Sequence, residues 1–190
     1  MVPDRKKEVV QICLDHFIEK GLSETSTRSL SNALQLQNAG LYYYFGSKDE
    51  AVILCAEEAA LRLETALIPS AINAIHQPDE MMRQLQAKAQ EMAPTMRFFV
   101  SVCVSERYKD HIKPVLNRLT ERYNIYAEKV AASLNCEKAE IEPYVYLTVT
   151  AMVNYMIFAE EPMVKPQLNI VKDALRRLNQ HQNATDDFMA

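Results

Sequence analysis

Glycine is scarce in this 190-residue chain: there are three, Gly21, Gly40 and Gly46, and none follows residue 46. Glycine-rich loops that cradle phosphate are therefore excluded from everything beyond it. No strand-like alternation of useful length and no hairpin dipeptide occurs, so a β architecture is not expected. No run of about 18 or more apolar residues is present, so no membrane span is expected. The N-terminal stretch Met1-Val2-Pro3-Asp4-Arg5-Lys6-Lys7-Glu8 lacks the apolar core of a secretory signal, and a cytoplasmic protein is expected. Four cysteines, Cys13, Cys55, Cys103 and Cys136, form no C-x-x-C pair. Each sits in an apolar helical pattern and reads as a free buried thiol, not a metal ligand or half of a disulfide. The histidines His16, His76, His111 and His181 are scattered, with no nucleophile elbow and no carboxylate dyad. Glu106, Asp110 and His111 make a metal set on paper but fit a solvated helix end better. No enzyme, no metal and no cofactor is expected.

What the chain has is helix. Beyond Gly46 the breaks fall at Pro69, Pro78, Pro94, Pro114, Pro143, Pro162 and Pro166, and proline fits the first turn of a helix, where its missing N–H costs nothing. An all-α fold of about nine helices is expected, with boundaries good to about two to four residues. The spacing predicts helices over 4–20, 27–34, 38–45, 48–67, 78–90, 94–108, 113–135, 141–159 and 164–180. Segment 68–77 reads as a linker or a short helix, and the polar tail 181–190 as frayed. Val9, Cys13 and Phe17 repeat every four residues along the first helix, and Gly21 ends it. Thr25 and Ser26 offer caps for the second helix, and Ser47 for the fourth.

Two short helices separated by a tight turn form a helix-turn-helix within residues 21–48. The second carries Tyr42, Tyr43 and Tyr44 in succession. Three adjacent helical positions spread over most of the circumference, so at least one or two of these phenols face outward. A phenol suits a DNA surface, because it packs on sugar and donates to a phosphate oxygen. The net charge of −4 argues against coating nucleic acid by bulk charge. Residues 1–50 hold six basic side chains (Arg5, Lys6, Lys7, Lys20, Arg28, Lys48) and seven acids (Asp4, Glu8, Asp15, Glu19, Glu24, Asp49, Glu50). A DNA face must therefore arise from how the charges are arranged, not from their sum.

Phe17 and Gly21, then Thr25-Ser26-Thr27-Arg28, then Leu30, then Gly40-Leu41-Tyr42-Tyr43-Tyr44-Phe45-Gly46-Ser47-Lys48, resemble the N-terminal pattern of the TetR family of bacterial repressors over about residues 5–55. Three positions depart from that pattern: Ser31 for Ala, Gln35 for the glycine of the turn, and His16 for Leu. A left-handed Gln35 costs about 1–2 kcal/mol, so a turn of altered shape is expected. The resemblance implies core roles for Leu41 and Phe45, and phosphate contacts for Tyr42, Lys48, Thr27 and Arg28. It implies base-edge contacts for Gln37, Asn38, Ala39 and Tyr43. Gly40 reads as permitting close approach to the DNA backbone. Arg5, Lys6 and Lys7 read as an arm toward flanking phosphate or as a solvated helix start.

The resemblance also implies an N-terminal DNA-binding domain, 1–47, and a ligand-binding and dimerisation domain, 48–190, with helix 48–67 connecting them. Met92, Met96, Phe99 and Cys103 share a face, and with Tyr123, Tyr126, Tyr155 and Phe158 they make candidate walls of a ligand pocket. Arg62 and Arg97 are candidates to pair an acidic ligand. Leu168, Val171, Leu175 and Leu178 form a stripe, with a second of Tyr144, Leu147, Thr148, Ala151 and Tyr155, that reads as a homodimer seam through helices 141–159 and 164–180 in preference to burial within one subunit. The expected partners are double-stranded operator DNA, a small-molecule effector and a second copy. The expected function is a transcriptional repressor released from its operator by that effector. The alternative is a DNA-binding regulator controlled by a protein partner or by abundance.

Overall fold

The structure is a computed structural model describing residues 2–36 and 38–189, with side chains for 5–36 and 40–180. Eight helices appear among the described residues: α1 (Val2–Lys20), α2 (Thr27–Ala33), α3 (Asn38–Phe45), α4 (Lys48–Asn73), α5 (Pro78–Cys103), α6 (Lys113–Ser133), α7 (Lys138–Phe158) and α8 (Glu161–Met189). The first three agree closely with the spacing, because their ends carry strong local signals. Gly21 (φ 89°) and Gly46 (φ 69°) take the left-handed conformation that stops a helix. Ser26 caps α2, its side chain accepting from the Ser29 N–H while the Ser29 hydroxyl accepts from the Ser26 N–H. The Ser47 hydroxyl accepts from the Glu50 N–H at the start of α4, with Asp49 and Glu50 in its first turn.

The later helices correct the expected division. α4 runs through Pro69 to Asn73, and α5 runs through Pro94, so helices expected over 78–90 and 94–108 are one. Pro143 and Pro166 also lie inside helices, and α8 continues through the tail expected to fray. Each interior proline forgoes one backbone hydrogen bond without ending its helix.

By their packing the described residues form two compact units, the first comprising 1–63 with 94–117 and the second 64–93 with 118–190. The first has a core of Val9, Cys13, Leu14, Phe17, Leu30, Leu41, Phe45, Val52 and Cys55, joined by Phe98, Val102 and Ile112. Phe17 stacks on Phe98 with ring centroids 5.6 Å apart. In the second unit α7 packs on α8. Here the sequence reading needs correction. Leu168, Val171 and Leu175 are buried within their own chain and Leu178 half-buried, so this stripe is not a free seam. Ala151 is likewise buried.

The turn between α2 and α3 is closed by two hydrogen bonds, Leu36 N–H to Ser31 O (2.9 Å) and Gln35 N–H to Asn32 O (3.0 Å). This is a Schellman arrangement with Gln35 at the left-handed position, φ 54°. The turn thus keeps the form a glycine would give it, contrary to the expected change of shape, and Gln35 carries the strain. Ser31 is buried and its hydroxyl has no hydrogen-bond partner among the described residues. Gln35→Gly and Ser31→Ala should therefore each stabilise the protein, by about 1 kcal/mol. Urea denaturation of the two variants checks this, and a loss of stability in either contradicts the corresponding assignment.

Candidate nucleic-acid interface

Neither α2 nor α3, of seven and eight residues, is long enough to be stable alone. α3 is held by Leu41 and Phe45, both fully buried, four residues apart on one face. Anchoring that face turns the others outward: Tyr42 is 52% and Tyr43 78% exposed, while Tyr44 is half-buried with its ring edge-on to Tyr43. Exposed aromatic rings of this size on a short helix are unusual unless something is to cover them. Arg28 is exposed on α2 and makes no ion pair among the described residues; Thr27 beside it is half-buried. The Lys48 ammonium lies 3.5 Å from the Leu22 carbonyl. Gln37 lies outside the described residues, and Asn38 and Ala39 lie in α3 without described side chains.

Gly40 has a local reason to be glycine. A Cβ there would meet the Leu36 Cβ at 3.1 Å, so its absence lets Leu36 of the turn pack against α3. Arg5, Lys6 and Lys7 lie within α1. Arg5 pairs with Glu8 at 2.6 Å.

Charge arrangement follows from pairing. Of the acids in the first fifty residues, Glu8, Glu19, Asp15 and Asp49 are matched by Arg5, Lys20, Arg62 and Arg107. Arg62, considered above as a partner for an acidic ligand, is thus engaged with Asp15 at 2.6 Å and also faces Glu58. Asp49, next to Lys48, is held twice: by Arg107 at 2.6 Å and by the Tyr108 hydroxyl, which donates at 2.9 Å. The Arg107 hydrogen bond keeps the Asp49 carboxyl below its usual range, with Tyr108 assisting. Burial, then Asp49 itself, pushes the Tyr108 phenol up to about 12. Arg107 and Tyr108 were not singled out for this role in the sequence. The one local sign is that Tyr108 stands in the polar run 105–111 yet is buried.

The candidate ligand residues divide between the units. Met96 and Phe99 (buried) and Cys103 (half-buried) belong to the first; Met92, Tyr123, Tyr126, Tyr155 and Phe158 belong to the second. Three phenols are already engaged within the second unit. Tyr123 donates to the Glu142 carbonyl, Tyr126 donates to Glu64, and Tyr155 accepts from Gln90. Arg122 also pairs with Glu64. Burial raises the Glu64 carboxyl, but Arg122 and Tyr126 outweigh it and hold it below its usual range. Phe158, the last residue of α7, is 64% exposed and lines no enclosed wall in its unit. Glu106 and Asp110 pair with Lys109 and Lys113, and no metal-binding cluster occurs among the described residues. No helix among them is long and apolar enough to cross a membrane.

A depressed carboxyl stabilises the fold above its unfolded value of about 4, and that contribution fades as pH falls through the lower folded value. Asp49→Asn should therefore lower the melting temperature at neutral pH, and the gap from the unsubstituted protein should close in acid. A gap independent of pH rules out Asp49 as an ionic anchor of α4.

Residues 14–53 match the family model described as bacterial regulatory proteins, tetR family. No curated protein matches the sequence. Among solved structures, a tetR-family transcriptional regulator from Streptomyces coelicolor is similar at TM-score 0.61 and 13% identity, over 97% of this chain and 90% of that one. The multidrug binding protein EbrR complexed with imidazole is similar at TM-score 0.59 and 13% identity, over 90% and 95%. A TetR-like transcriptional regulator from Rhodococcus sp. RHA1 gives 0.54 and 18%, over 95% and 96%. At these identities the likeness is one of fold. Residues 14–53 thus resemble the tetR family of bacterial regulatory proteins, within an all-helical chain whose fold is similar to that of tetR-family regulators.

Proposed function

We propose that the protein is a dimeric transcriptional repressor that grips operator DNA through α2 and α3 and is released by a small molecule. The observation that carries the DNA reading is the outward display of Tyr42 and Tyr43 on a helix pinned by Leu41 and Phe45. Tyr42, Lys48, Thr27 and Arg28 take phosphates, while Tyr43, with Gln37, Asn38 and Ala39, reads base edges in the major groove. Support for a small-molecule input comes from EbrR, a multidrug binding protein of like fold. The candidates Met92, Tyr123, Tyr126 and Tyr155 belong to one unit and are offered as effector contacts. A ligand that favours a state with differently spaced recognition helices lowers DNA affinity, and DNA lowers ligand affinity by the same factor.

A second copy has a surface to use, other than the stripe first read from sequence. Tyr146 and Val149 on α7 and Met163 and Ile170 on α8 are exposed, and Val153 and Ile157 continue the α7 row half-buried. Two adjacent helices with exposed apolar rows suit a four-helix seam, and a dimer sets the spacing of two half-sites about one helical turn apart.

The protein should bind the DNA flanking its own gene more tightly than random DNA, with affinity falling as salt rises. Tyr42→Phe, Tyr43→Ala and Lys48→Ala should each weaken it by about 1–3 kcal/mol. Equal binding to both DNAs, followed by no enriched site in selection from random sequence, defeats the reading. Val149→Asp should turn the dimer into a monomer by sedimentation; an unchanged mass places the seam elsewhere.

A further inference from the structure

The second unit contains an open cleft of about 900 Å³ between the end of α6, the start of α7 and the face of α8. None of the ligand candidates drawn from the sequence lines it. Its floor is apolar, from Ala131, Leu134, Ala174 and Leu178. One wall carries the carboxylates of Glu137 and Glu140 beside Tyr144, and α8 contributes Arg177. Among the described residues no ion pair joins Arg177 to either carboxylate, and neither carboxylate has another partner. Among the described residues the guanidinium spends only its Nε–H, on the Asp173 carbonyl at 3.3 Å. Glu140 lies close enough to Cys136 to add to the burial that raises its thiol.

The cleft is also fixed in shape. α6 ends in a second Schellman turn, with Cys136 N–H to Ala131 O at 3.1 Å and Asn135 left-handed at φ 48°. Behind it His76 bridges α6 to α8. The Asn179 amide nitrogen donates to the Leu175 carbonyl at 2.9 Å, which leaves its oxygen to accept from His76 Nδ1 at 2.7 Å. His76 Nε2 then faces the Ser133 hydroxyl at 3.3 Å. Opposite charges left apart across a held apolar floor are complementary to a ligand that carries both charges.

We infer that this cleft binds a zwitterion of about dipeptide size with apolar side chains, its ammonium on Glu140 and Glu137 and its carboxylate on Arg177. A cleft of about 900 Å³ has room for a ligand larger than a single amino acid. The cleft is a second ligand site, apart from the effector contacts proposed above. Binding there is tested without DNA, so its failure leaves the regulator reading standing.

The test is titration calorimetry of the full chain with L-leucyl-L-leucine, its N-acetyl derivative and its C-terminal amide. The free dipeptide should bind, and each blocked form should bind about tenfold more weakly, the loss of one charge-assisted contact. Glu140→Gln should erase the difference made by acetylation, Arg177→Met the difference made by amidation, and Ala132→Trp, at an exposed lining position, should abolish binding with the helical circular dichroism unchanged. Absence of dipeptide binding overturns the inference, as do equal affinities for all three peptides or binding indifferent to Ala132→Trp. If a variant fails to fold, the three-peptide comparison on the unsubstituted chain still decides.

Discussion

The outward face of α3 depends on burial of the opposite face of a two-turn helix. α3 cannot persist on backbone hydrogen bonds alone, and Leu41 and Phe45 supply what they lack by filling the core built by α1 and α4. The same burial aims Tyr42 and Tyr43 at solvent, since a helix of fixed pitch cannot hide one face without presenting another. Everything upstream of recognition then concerns angle. The α2–α3 turn holds that angle through Gln35 in a strained backbone state and through Leu36 packed where Gly40 has no side chain. The doubly held Asp49 secures the start of the helix that follows.

What was legible in the sequence was what is local. Gly21, Ser26, Gly46 and Ser47 mark helix ends by their own backbone and side-chain chemistry, and the first three helices fall where those residues put them. Proline was misleading because its effect depends on position: Pro78 opens a helix, whereas Pro94 lies within the same one. No local signal separates those two outcomes. The Asp49–Arg107–Tyr108 cluster joins residues nearly sixty apart, which no spacing rule reaches. The stripe of Leu168, Val171 and Leu175 shows a third limit. Periodicity says that a face is covered, but not whether the cover is α7 of the same chain or a helix of another.

Chemistry in the second unit was hidden for a related reason. Met, Tyr and Phe drew attention as pocket-lining types, yet Tyr123, Tyr126 and Tyr155 spend their hydroxyls on their own chain. The cleft is lined mainly by alanine, leucine and three charged side chains, ordinary residues whose meaning comes from being left unpaired together.

The first unit is not a continuous stretch of chain. Its core needs Phe98, Val102 and Ile112, contributed by a segment that returns after thirty residues spent in the other unit. A chimera made by grafting the first sixty residues onto a different helical chain would inherit α3 without the segment that completes its support. Replacing the outward side chains of α2 and α3 leaves that support in place, whereas moving the first sixty residues by themselves does not.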